Sequence, residues 1–319
     1  MVDIVGKKNY YFVLSAIIFI AGIIGYIVHG GFNYDIQFQG GTVIEMEMKD
    51  DTFDASKAET IVENQIGKKI TAQKSYTISA RDLTKKMHTL ILSLAGNDNL
   101  TGQEIDKVVD VVRSEYKLPT NSQMTVRNVN PSIGTELKAN ALWAVFFASV
   151  FIIIYIWIRF KVMSGLSAGV IAICALLHDI AIMISVYTIF DIRVNESFIA
   201  AVLTILGYSM NDTIIIYDRI RENSNEMRRV PIAEMVNKSI IQTLARSINT
   251  VVTVLICLIT VYVFAWYNNI ESIREFAFPL IVGVASGAYS SIFIASPLWV
   301  MWKEHQKKQK ASQKKPAKA

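Results

Sequence analysis

Six long apolar runs constrain this chain more than any other feature of its sequence. The runs are Tyr10–Val28, Ala139–Ile158, Val162–Phe190, Ser197–Tyr217, Ser247–Tyr267 and Phe276–Trp302. About 20 apolar residues in a helix cross the ~30 Å hydrocarbon core of a bilayer, and each run reaches about that length. Over the whole chain 52% of the residues are hydrophobic and only 18% are charged. The sequence therefore predicts a multi-pass membrane protein with six transmembrane helices.

The distribution of basic residues predicts the orientation, because Lys and Arg near span ends are retained in the cytoplasm. With the N-terminus inside, the basic residues near the inner ends of the spans are Lys7, Lys8, Arg159, Lys161, Arg219, Arg221, Arg228, Arg229 and Lys238. The tail adds Lys303, Lys307, Lys308, Lys310, Lys314, Lys315 and Lys318. The two short outer loops contain only Arg193 and Arg274. Both termini are therefore predicted to be cytoplasmic, and the first run is too long for a cleaved signal peptide.

The spans divide the chain into four predicted parts. These are the cytoplasmic N-terminus with the first helix (1–29), an extracytoplasmic domain (30–138), helices 2–6 with a cytoplasmic loop at 218–245 (139–302), and a basic cytoplasmic tail (303–319). Within the loop, Pro231–Leu244 has one apolar helical face and is expected to lie along the membrane surface. The tail is interpreted as a topology signal on a disordered end, with contact to anionic lipid or RNA as the alternative.

The extracytoplasmic domain alternates between strand and helix patterns. Period-two alternation predicts strands at Thr42–Met48, Thr71–Ser79, Met87–Leu94 and Met124–Val129. Helical patterns cover Asp54–Ile66, with Asp54 as N-cap, and Thr101–Tyr116, where Thr101 and Glu104 fit a capping box. The order βαββαβ predicts an α+β ferredoxin-like sandwich, with two helices on one face of the sheet.

Ionisable side chains within the spans are the candidate functional residues, because each costs on the order of 3 kcal/mol on insertion and those that persist serve a pathway. Asp212 lies in the fourth run, and Arg246 opens the fifth on the same membrane side. Helical spacing makes two polar stripes, Thr204, Tyr208, Asn211 and Asp212 on one run and Arg246, Asn249, Thr250 and Thr253 on the other. We predict that the stripes face each other and that Asp212, Arg246, Asn211, Asn249, Thr250 and Tyr208 form a proton relay. A static ion pair that fixes helix register is the alternative.

His178 and Asp179, adjacent in the third run, are a possible secondary relay or a mutual hydrogen bond. Gly165 with Gly169, and Gly283 with Gly287, have the GxxxG spacing that permits close helix packing. Gly40 and Gly41 are expected to permit a tight turn after the first span. Pro279 and Pro297 are interpreted as boundary or kink prolines of the sixth span.

Several segments together resemble the SecD/SecF family of bacterial protein-export membrane proteins. The segments are GYSMNDT at 207–213, YDRIREN at 217–223, IIYIWIRF at 153–160, LHDI at 177–180, ARSINT at 245–250 and GGT at 40–42. The resemblance covers nearly the whole chain except the middle of the extracytoplasmic domain and the lysine-rich tail. One departure is Gln37-Phe38 before the glycine pair, where the family usually has Asp-Phe.

The resemblance implies half of a transporter of the resistance-nodulation-division (RND) type, in the cytoplasmic membrane of a bacterium. It implies pairing with the subunit SecD in a pseudo-symmetric twelve-helix body beside the SecYEG channel, with YajC and YidC as further candidate partners. The family is understood to use the proton motive force to promote export of an unfolded polypeptide, with Asp212 and Arg246 at its proton-pathway positions. No enzymatic activity, nucleic acid or cofactor is implied, and protons are the coupling ion.

Two other functions fit the apolar architecture. An RND-type exporter of small molecules or lipids would need a large apolar pocket. An intramembrane aspartyl protease would need Asp179 and Asp212 to share one site, but counting residues along their spans puts them about 12 Å apart in depth. The chain contains no phosphate-binding loop of the G-x-x-x-x-G-K-S/T type and no cluster of metal-ligand residues, so ATP hydrolysis and a metal site are not predicted.

Overall fold

A computed structural model describes residues 3–49, 52–78, 86–95, 100–119, 122–129, 131–160, 165–268 and 270–313. It contains two parts, a bundle of long apolar helices and an α+β domain inserted after the first helix. We call the end of the bundle that carries this domain the domain end, and the opposite end the far end. Several residues named in the predictions lie outside the described residues: Ser79, residues 161–164, and the tail lysines Lys314, Lys315 and Lys318.

The bundle is built from helices long and apolar enough to cross a membrane. They are α1 (Lys8–Val28), α5 (Pro131–Arg159), α6 (Gly165–Ile189), α7 (Glu196–Glu226), α8 (Ile232–Tyr267), and α9 (Glu271–Ser290), which continues through a π-helical turn (Ser291–Ala295) into α10 (Ser296–Gln313). Six candidate spans result, because the last three segments form one continuous span. The prediction of six transmembrane helices is confirmed.

Helices α7 and α8 both extend well beyond the runs from which they were predicted. Helix α7 continues to Glu226, so it includes the first part of the segment predicted as a loop. Helix α8 begins at Ile232, directly after Pro231, and runs without interruption through the fifth span. The prediction of a separate surface helix at Pro231–Leu244 is therefore wrong. Its buried residues, among them Val236 and Ile240, pack into the bundle core instead of against a membrane surface.

The two prolines of the sixth span lie within one continuous helical span. Pro279 lies inside α9, not at its boundary. Pro297 is the second residue of α10 and is separated from the π-helical turn Ser291–Ala295 by Ser296 alone. A proline removes one backbone hydrogen bond and its ring crowds the carbonyl of the preceding turn, and a π-helical turn is a common way for a helix to absorb such a defect. The helix thus continues through the proline.

The α+β domain has the predicted fold. Its strands are β1 (Gly41–Met48), β2 (Thr71–Ile78), β3 (Lys86–Ala95) and β4 (Met124–Val129), and its helices are the short α2 (Ile36–Gln39), α3 (Ala55–Ile66) and α4 (Gly102–Tyr116). The sheet order is β2-β3-β1-β4 and every neighbouring pair is antiparallel. Apolar residues of β1 and β3, such as Ile44 and Leu90, form one core with α3 and α4. This is the ferredoxin-like sandwich.

Side chains cap the two long helices of the domain as predicted. The Asp54 side chain accepts a hydrogen bond from the Ser56 N–H at the start of α3. At α4, Thr101 and Glu104 form a full capping box. A hydrogen bond from Lys68 and those from Thr101 lower the pKa of the Glu104 carboxyl to about 2, so Glu104 is charged at neutral pH, as a helix N-terminus favours.

Glycines set the closest helix contacts in the bundle. A Cβ atom at Gly165 would lie 2.5 Å from the carbonyl oxygen of Trp157 in α5, and one at Gly287 would lie 2.8 Å from Cβ of Ser209 in α7. Gly169 and Gly283 lie against Ile153 and Ile205 on the same two neighbours. The sequence analysis missed Gly22, which brings α1 equally close to Ser185 in α6. Side chains at Gly22, Gly165, Gly283 or Gly287 would crowd the neighbouring helix, whereas Gly169 leaves ordinary van der Waals distance for a Cβ atom.

Candidate proton site in the helical bundle

Asp212 lies on the buried side of α7 without any hydrogen-bond partner. Its side chain is 2% exposed, and neither carboxylate oxygen accepts a hydrogen bond from a residue that the structure describes. The Tyr208 hydroxyl, one turn earlier on the same helix, is likewise buried and unpartnered. A buried carboxylate that is both charged and unpaired is costly, so this group needs either a proton or a cation.

Arg246 does not supply that cation in this structure. Within the described part of the chain, no ion pair joins it to Asp212. Arg246 is exposed and lines a far-end cavity of 330 Å³ together with Asp218, Arg219 and Glu222. The expected direct pairing of Asp212 with Arg246 is therefore not formed.

Arg246 does not reach Asp212 because of the rotation of α8 about its own axis. Thr243 and Ser247 are its buried residues at this level, and Arg246 precedes Ser247 by one position, a rotation of about 100° around the helix. The guanidinium consequently points into the cavity between α7 and α8 instead of into the core. Asp212 lies deeper, about one turn from the cavity residues Ile214 and Ile215. Among the described residues, Arg246 and Arg219 are the two basic ones that line this cavity.

The other residues of the two predicted stripes lie on the outside of the bundle. Those exposed on its surface are Thr204, Asn211, Arg246, Asn249 and Thr253, while Tyr208 and Thr250 are partly exposed. The threonine hydroxyls donate to carbonyls of their own helix, as Thr250 does to Arg246 (3.0 Å) and Thr253 to Asn249 (2.9 Å). The stripes thus form a polar face at membrane depth instead of a closed channel. In lipid such a face is unfavourable unless protein or water covers it.

The structure places Asp179 at a hydrogen-bonded junction of three helices. Its side chain is 1% exposed. Its carboxylate accepts hydrogen bonds from Ser209 of α7 (2.7 Å) and from Ser286 (2.7 Å) and Ser290 (2.8 Å) of α9. The serines were not predicted, although the i, i+4 spacing of Ser286 and Ser290 in an apolar run is a recognisable signal. Asp179 thus ties α6 to α7 and α9.

His178 extends this junction towards α1. Its Nε2 lies 2.8 Å from the Ser15 hydroxyl, and its Nδ1 lies 3.4 Å from Asp179. The Ser15 hydroxyl lies 3.4 Å from the Tyr289 hydroxyl. The Tyr289 hydroxyl donates to the Tyr11 carbonyl oxygen (2.7 Å). The predicted mutual hydrogen bond between His178 and Asp179 is therefore the longest in the Asp179 cluster. The tight contacts join each residue to other helices.

Asp179 and Asp212 do not form a catalytic dyad. Asp179 accepts hydrogen bonds from three serines, Asp212 has no donor, and the two side chains share none of the described contacts. Ser209, a direct partner of Asp179, precedes Asp212 by three residues, a rise of about 4.5 Å. The two carboxylates therefore differ less in depth than the ~12 Å that residue counting predicted. The counting assumed that both spans begin at the same depth, and the contact between Ser209 and Asp179 shows that they do not.

A polar cluster holds the far ends of the helices together. The Asn223 amide donates to Ser239 and to Gln242 of α8 (both 2.8 Å). The Asn237 side chain oxygen accepts from the backbone N–H groups of Ile4 and Val5, both at 3.0 Å. Hydrogen bonds thus join α7 to α8, and the N-terminus to α8, at the level of the charged cavity.

Comparisons with known proteins agree on one family. Residues 109–305 match the family model described as protein export membrane protein SecD/SecF, C-terminal. The chain is 35% identical to the protein translocase subunit SecF of Alicyclobacillus acidocaldarius over 309 residues, which cover 96% of this chain and 94% of that protein. It is 34% identical to the subunit SecDF of Bacillus subtilis, covering 98% of this chain but 39% of the relative.

Solved structures give the same relationship. The crystal structure of SecDF from Thermus thermophilus, described as a translocon-associated membrane protein, matches with a TM-score of 0.74 and 30% identity. The match covers 95% of this chain and 39% of the SecDF chain. A second SecDF structure, in a super-membrane-facing form, matches with a TM-score of 0.68 and 31% identity. This chain thus spans nearly the full length of the SecF relative and well under half of the SecDF chains.

Proposed function

This chain belongs to the SecD/SecF family of protein-export membrane proteins, and we propose that it is a SecF-type accessory subunit of the Sec translocase, driven by the proton motive force. One observation carries the proton coupling: Asp212 is a buried carboxylate without a partner, in a membrane-spanning helix. Such a group stays buried at low cost when it carries a proton. It can release that proton when a cation approaches.

The arrangement favours a two-state cycle. In the described state the Asp212 carboxyl carries the proton, and Arg246 points into the far-end cavity. A shift of α8 along α7 that brings the guanidinium to Asp212 stabilises the carboxylate and releases the proton. Each proton that crosses a potential of 100 mV supplies about 2.3 kcal/mol, which is enough to bias a two-state equilibrium by more than tenfold. The chain itself transforms no substrate covalently in this cycle.

The orientation we propose places the far end in the cytoplasm. The far end carries Arg159, Arg219 and Arg221, with Arg228 and Arg229 in the turn that follows α7, and basic residues at span ends stay inside. The α+β domain is then extracytoplasmic, and both termini are cytoplasmic. The unfolded polypeptide that emerges from the SecYEG channel is the proposed cargo of the domain.

The polar face formed by α7 and α8 is the proposed contact with a SecD-type subunit. Asn211, Asn249 and Thr250 lie on it and would line a hydrated route to Tyr208 and Asp212 once the partner covers the face. The SecDF relatives support this assignment, because more than half of their length lies beyond the part that matches this chain. YajC and YidC remain candidate partners that no contact in this chain singles out.

We expect cysteine labelling to map this contact. With Cys174 and Cys257 replaced by serine, Asn249→Cys carrying a photo-crosslinker should form an adduct with the SecD-type subunit in membranes. Ile20→Cys on the exposed face of α1, which is 57% exposed, is the matched control and should react only with lipid. Equal subunit adducts from both positions would argue against the α7–α8 face as the contact.

Export assays test the proton coupling itself. Inverted membrane vesicles that contain this chain and its SecD-type partner should export a preprotein faster than vesicles without them. A protonophore should remove the whole difference with ATP held constant. Acceleration that persists without a gradient would contradict the proposal. The cavities at the two bundle ends, of 320 and 330 Å³, have charged linings, so they do not favour an exporter of apolar molecules.

A further inference from the structure

The linker between α1 and the α+β domain is hydrogen-bonded to the loop that leads into α7, the helix that carries Asp212. Tyr34 forms an isolated parallel β-bridge with Val194, in the loop between α6 and α7. The Asp35 N–H donates to the Val194 carbonyl (3.0 Å), and the Val194 N–H donates to the Asn33 carbonyl (2.7 Å). The Asn33 amide also donates to the Asp191 carbonyl (3.2 Å). Linker residues Asn33–Asp35 are therefore hydrogen-bonded to the loop between α6 and α7.

The next residue, Asn195, fixes this loop to the bundle. Its side-chain oxygen accepts from the Phe198 N–H (3.0 Å) and so caps the first turn of α7. Its amide nitrogen donates to Oε2 of Glu275 in α9 (2.6 Å). Asn195 is 6% exposed. The loop therefore moves with the domain end of α7, because its last residue is also the cap of that helix.

The linker is bounded by backbone hinges on both sides. Gly30 and Gly31 have φ angles of +74° and +129°, and Gly40 and Gly41 have +77° and +133°. Only glycine adopts such angles readily, and it leaves the backbone free to rotate. Between the two pairs, Phe38 is 3% exposed and its backbone packs directly against Gly134 at the start of α5. The segment between the hinges is therefore held as one unit.

We propose that Asn33–Asp35 acts as a strap that transmits displacement of α7 to the α+β domain, with Val194 and Asn195 as the positioning residues. The inference rests on the proposed function, because Asp212 is on the same unbroken helix, about 26 Å from Asn195. A continuous helix moves largely as a rigid rod. The bridge stays closed, and the glycine pairs absorb the rotation that the domain makes.

Breaking the bridge tests the transmission. Val194→Pro removes the N–H that donates to Asn33 and should reduce gradient-driven export to the level seen with a protonophore, with normal membrane insertion and ATP-driven translocation. Asn195→Ala, which removes the cap and the contact with Glu275 but leaves the bridge donors in place, is the second variant and should reduce export in the same direction. Full gradient-driven export by both variants would overturn the proposal.

Closing the bridge covalently tests whether it opens during the cycle. Directly paired residues of neighbouring strands are about 4.8 Å apart, within the Cα range that a disulfide accepts. In a chain with Cys174 and Cys257 replaced, oxidation of Tyr34→Cys/Val194→Cys should leave export unchanged. The control pair Glu45→Cys/Thr125→Cys cross-links β1 to β4 within the domain, where these residues pair. Loss of export on oxidation of the strap pair alone would show that the bridge must open and would overturn the strap.

Distances between spin labels separate this inference from the proposed function. In proteoliposomes with the partner subunit, labels at Glu226→Cys and Lys307→Cys report movement of the far end of α7. Labels at Asp106→Cys and Tyr267→Cys report movement of the α+β domain. An imposed proton gradient should change both distances, and Val194→Pro should abolish only the second change. If the second change survives in Val194→Pro, the strap fails while the proton cycle stands; if the first change is absent in the unmodified chain, the proton cycle itself fails.

Discussion

Asp212→Asn is expected to remove most of the gradient-driven export while leaving the fold intact. Asparagine has nearly the same size as aspartate but cannot carry and release a proton. If each cycle uses one proton at 100 mV, the lost driving energy of about 2.3 kcal/mol corresponds to a decrease of at most ~50-fold in the gradient-dependent part of export. The measurement is preprotein export in inverted vesicles at constant ATP, with and without a protonophore.

The same substitution separates function from stability. Asp212 has no described hydrogen-bond donor, so a neutral amide at this position removes no contact, and the thermal unfolding midpoint should stay at or above that of the unchanged chain. Glu226→Gln is the matched control, since it removes an exposed carboxylate from the end of the same helix and should not alter export. Gradient-driven export at the normal rate in Asp212→Asn would remove the proton relay from the mechanism.

Asp179→Ala should have the largest effect on stability. The substitution removes the common acceptor of Ser209, Ser286 and Ser290; Ser290 keeps the Gly287 carbonyl (3.2 Å), and the other two buried hydroxyls lose their described acceptor. Each unsatisfied buried donor costs about 1–3 kcal/mol, so we expect a loss of roughly 3 kcal/mol or more in the free energy of unfolding. Reversible denaturation of the purified protein in detergent, followed by tryptophan fluorescence, measures this loss.

Ser149→Ala is the control for this effect. Its hydroxyl donates only to the Val145 carbonyl of its own helix (2.8 Å), so the free energy of unfolding should change by less than about 0.5 kcal/mol. Asp179→Asn keeps one carbonyl acceptor, so its free energy of unfolding should lie between those of Asp179→Ala and Ser149→Ala. A stability of Asp179→Ala equal to that of Ser149→Ala would mean that the serine contacts contribute little to holding the three helices together.

The elements that the sequence predicted well are those with a strong local signal. Apolar length defines spans, and the capping pattern of Thr101 and Glu104 defines the start of α4 within one residue. The surface helix was predicted wrongly because an amphipathic pattern does not reveal what covers its apolar face. In Pro231–Leu244 that face is covered by other helices of the bundle.

The candidate site was only partly predictable. Asp212 and Asp179 stand out as charges in apolar runs, but their surroundings depend on helix rotation, which periodicity alone does not fix. Asp212 was predicted as a relay residue and Asp179 only as a possible secondary one, yet Asp179 has three serine donors and Asp212 has none among the described contacts. The hydrogen bonds of the α9 serines and the bridge at Val194 join segments that are 80 or more residues apart in the sequence, so no local sequence pattern predicts them.

The unbroken length of α8 gives the molecule a mechanical lever. Its 36 residues make a rod of about 54 Å, whereas the hydrocarbon layer is only ~30 Å thick. If the rod tilts by 5° about the membrane midplane, its protruding tip sweeps about 3 Å through the aqueous phase. Asn237 in this protruding segment accepts hydrogen bonds from the N–H groups of Ile4 and Val5, so the same movement displaces the N-terminal end of α1. A small tilt of α8 would thus produce a larger displacement at the membrane surface than within the membrane.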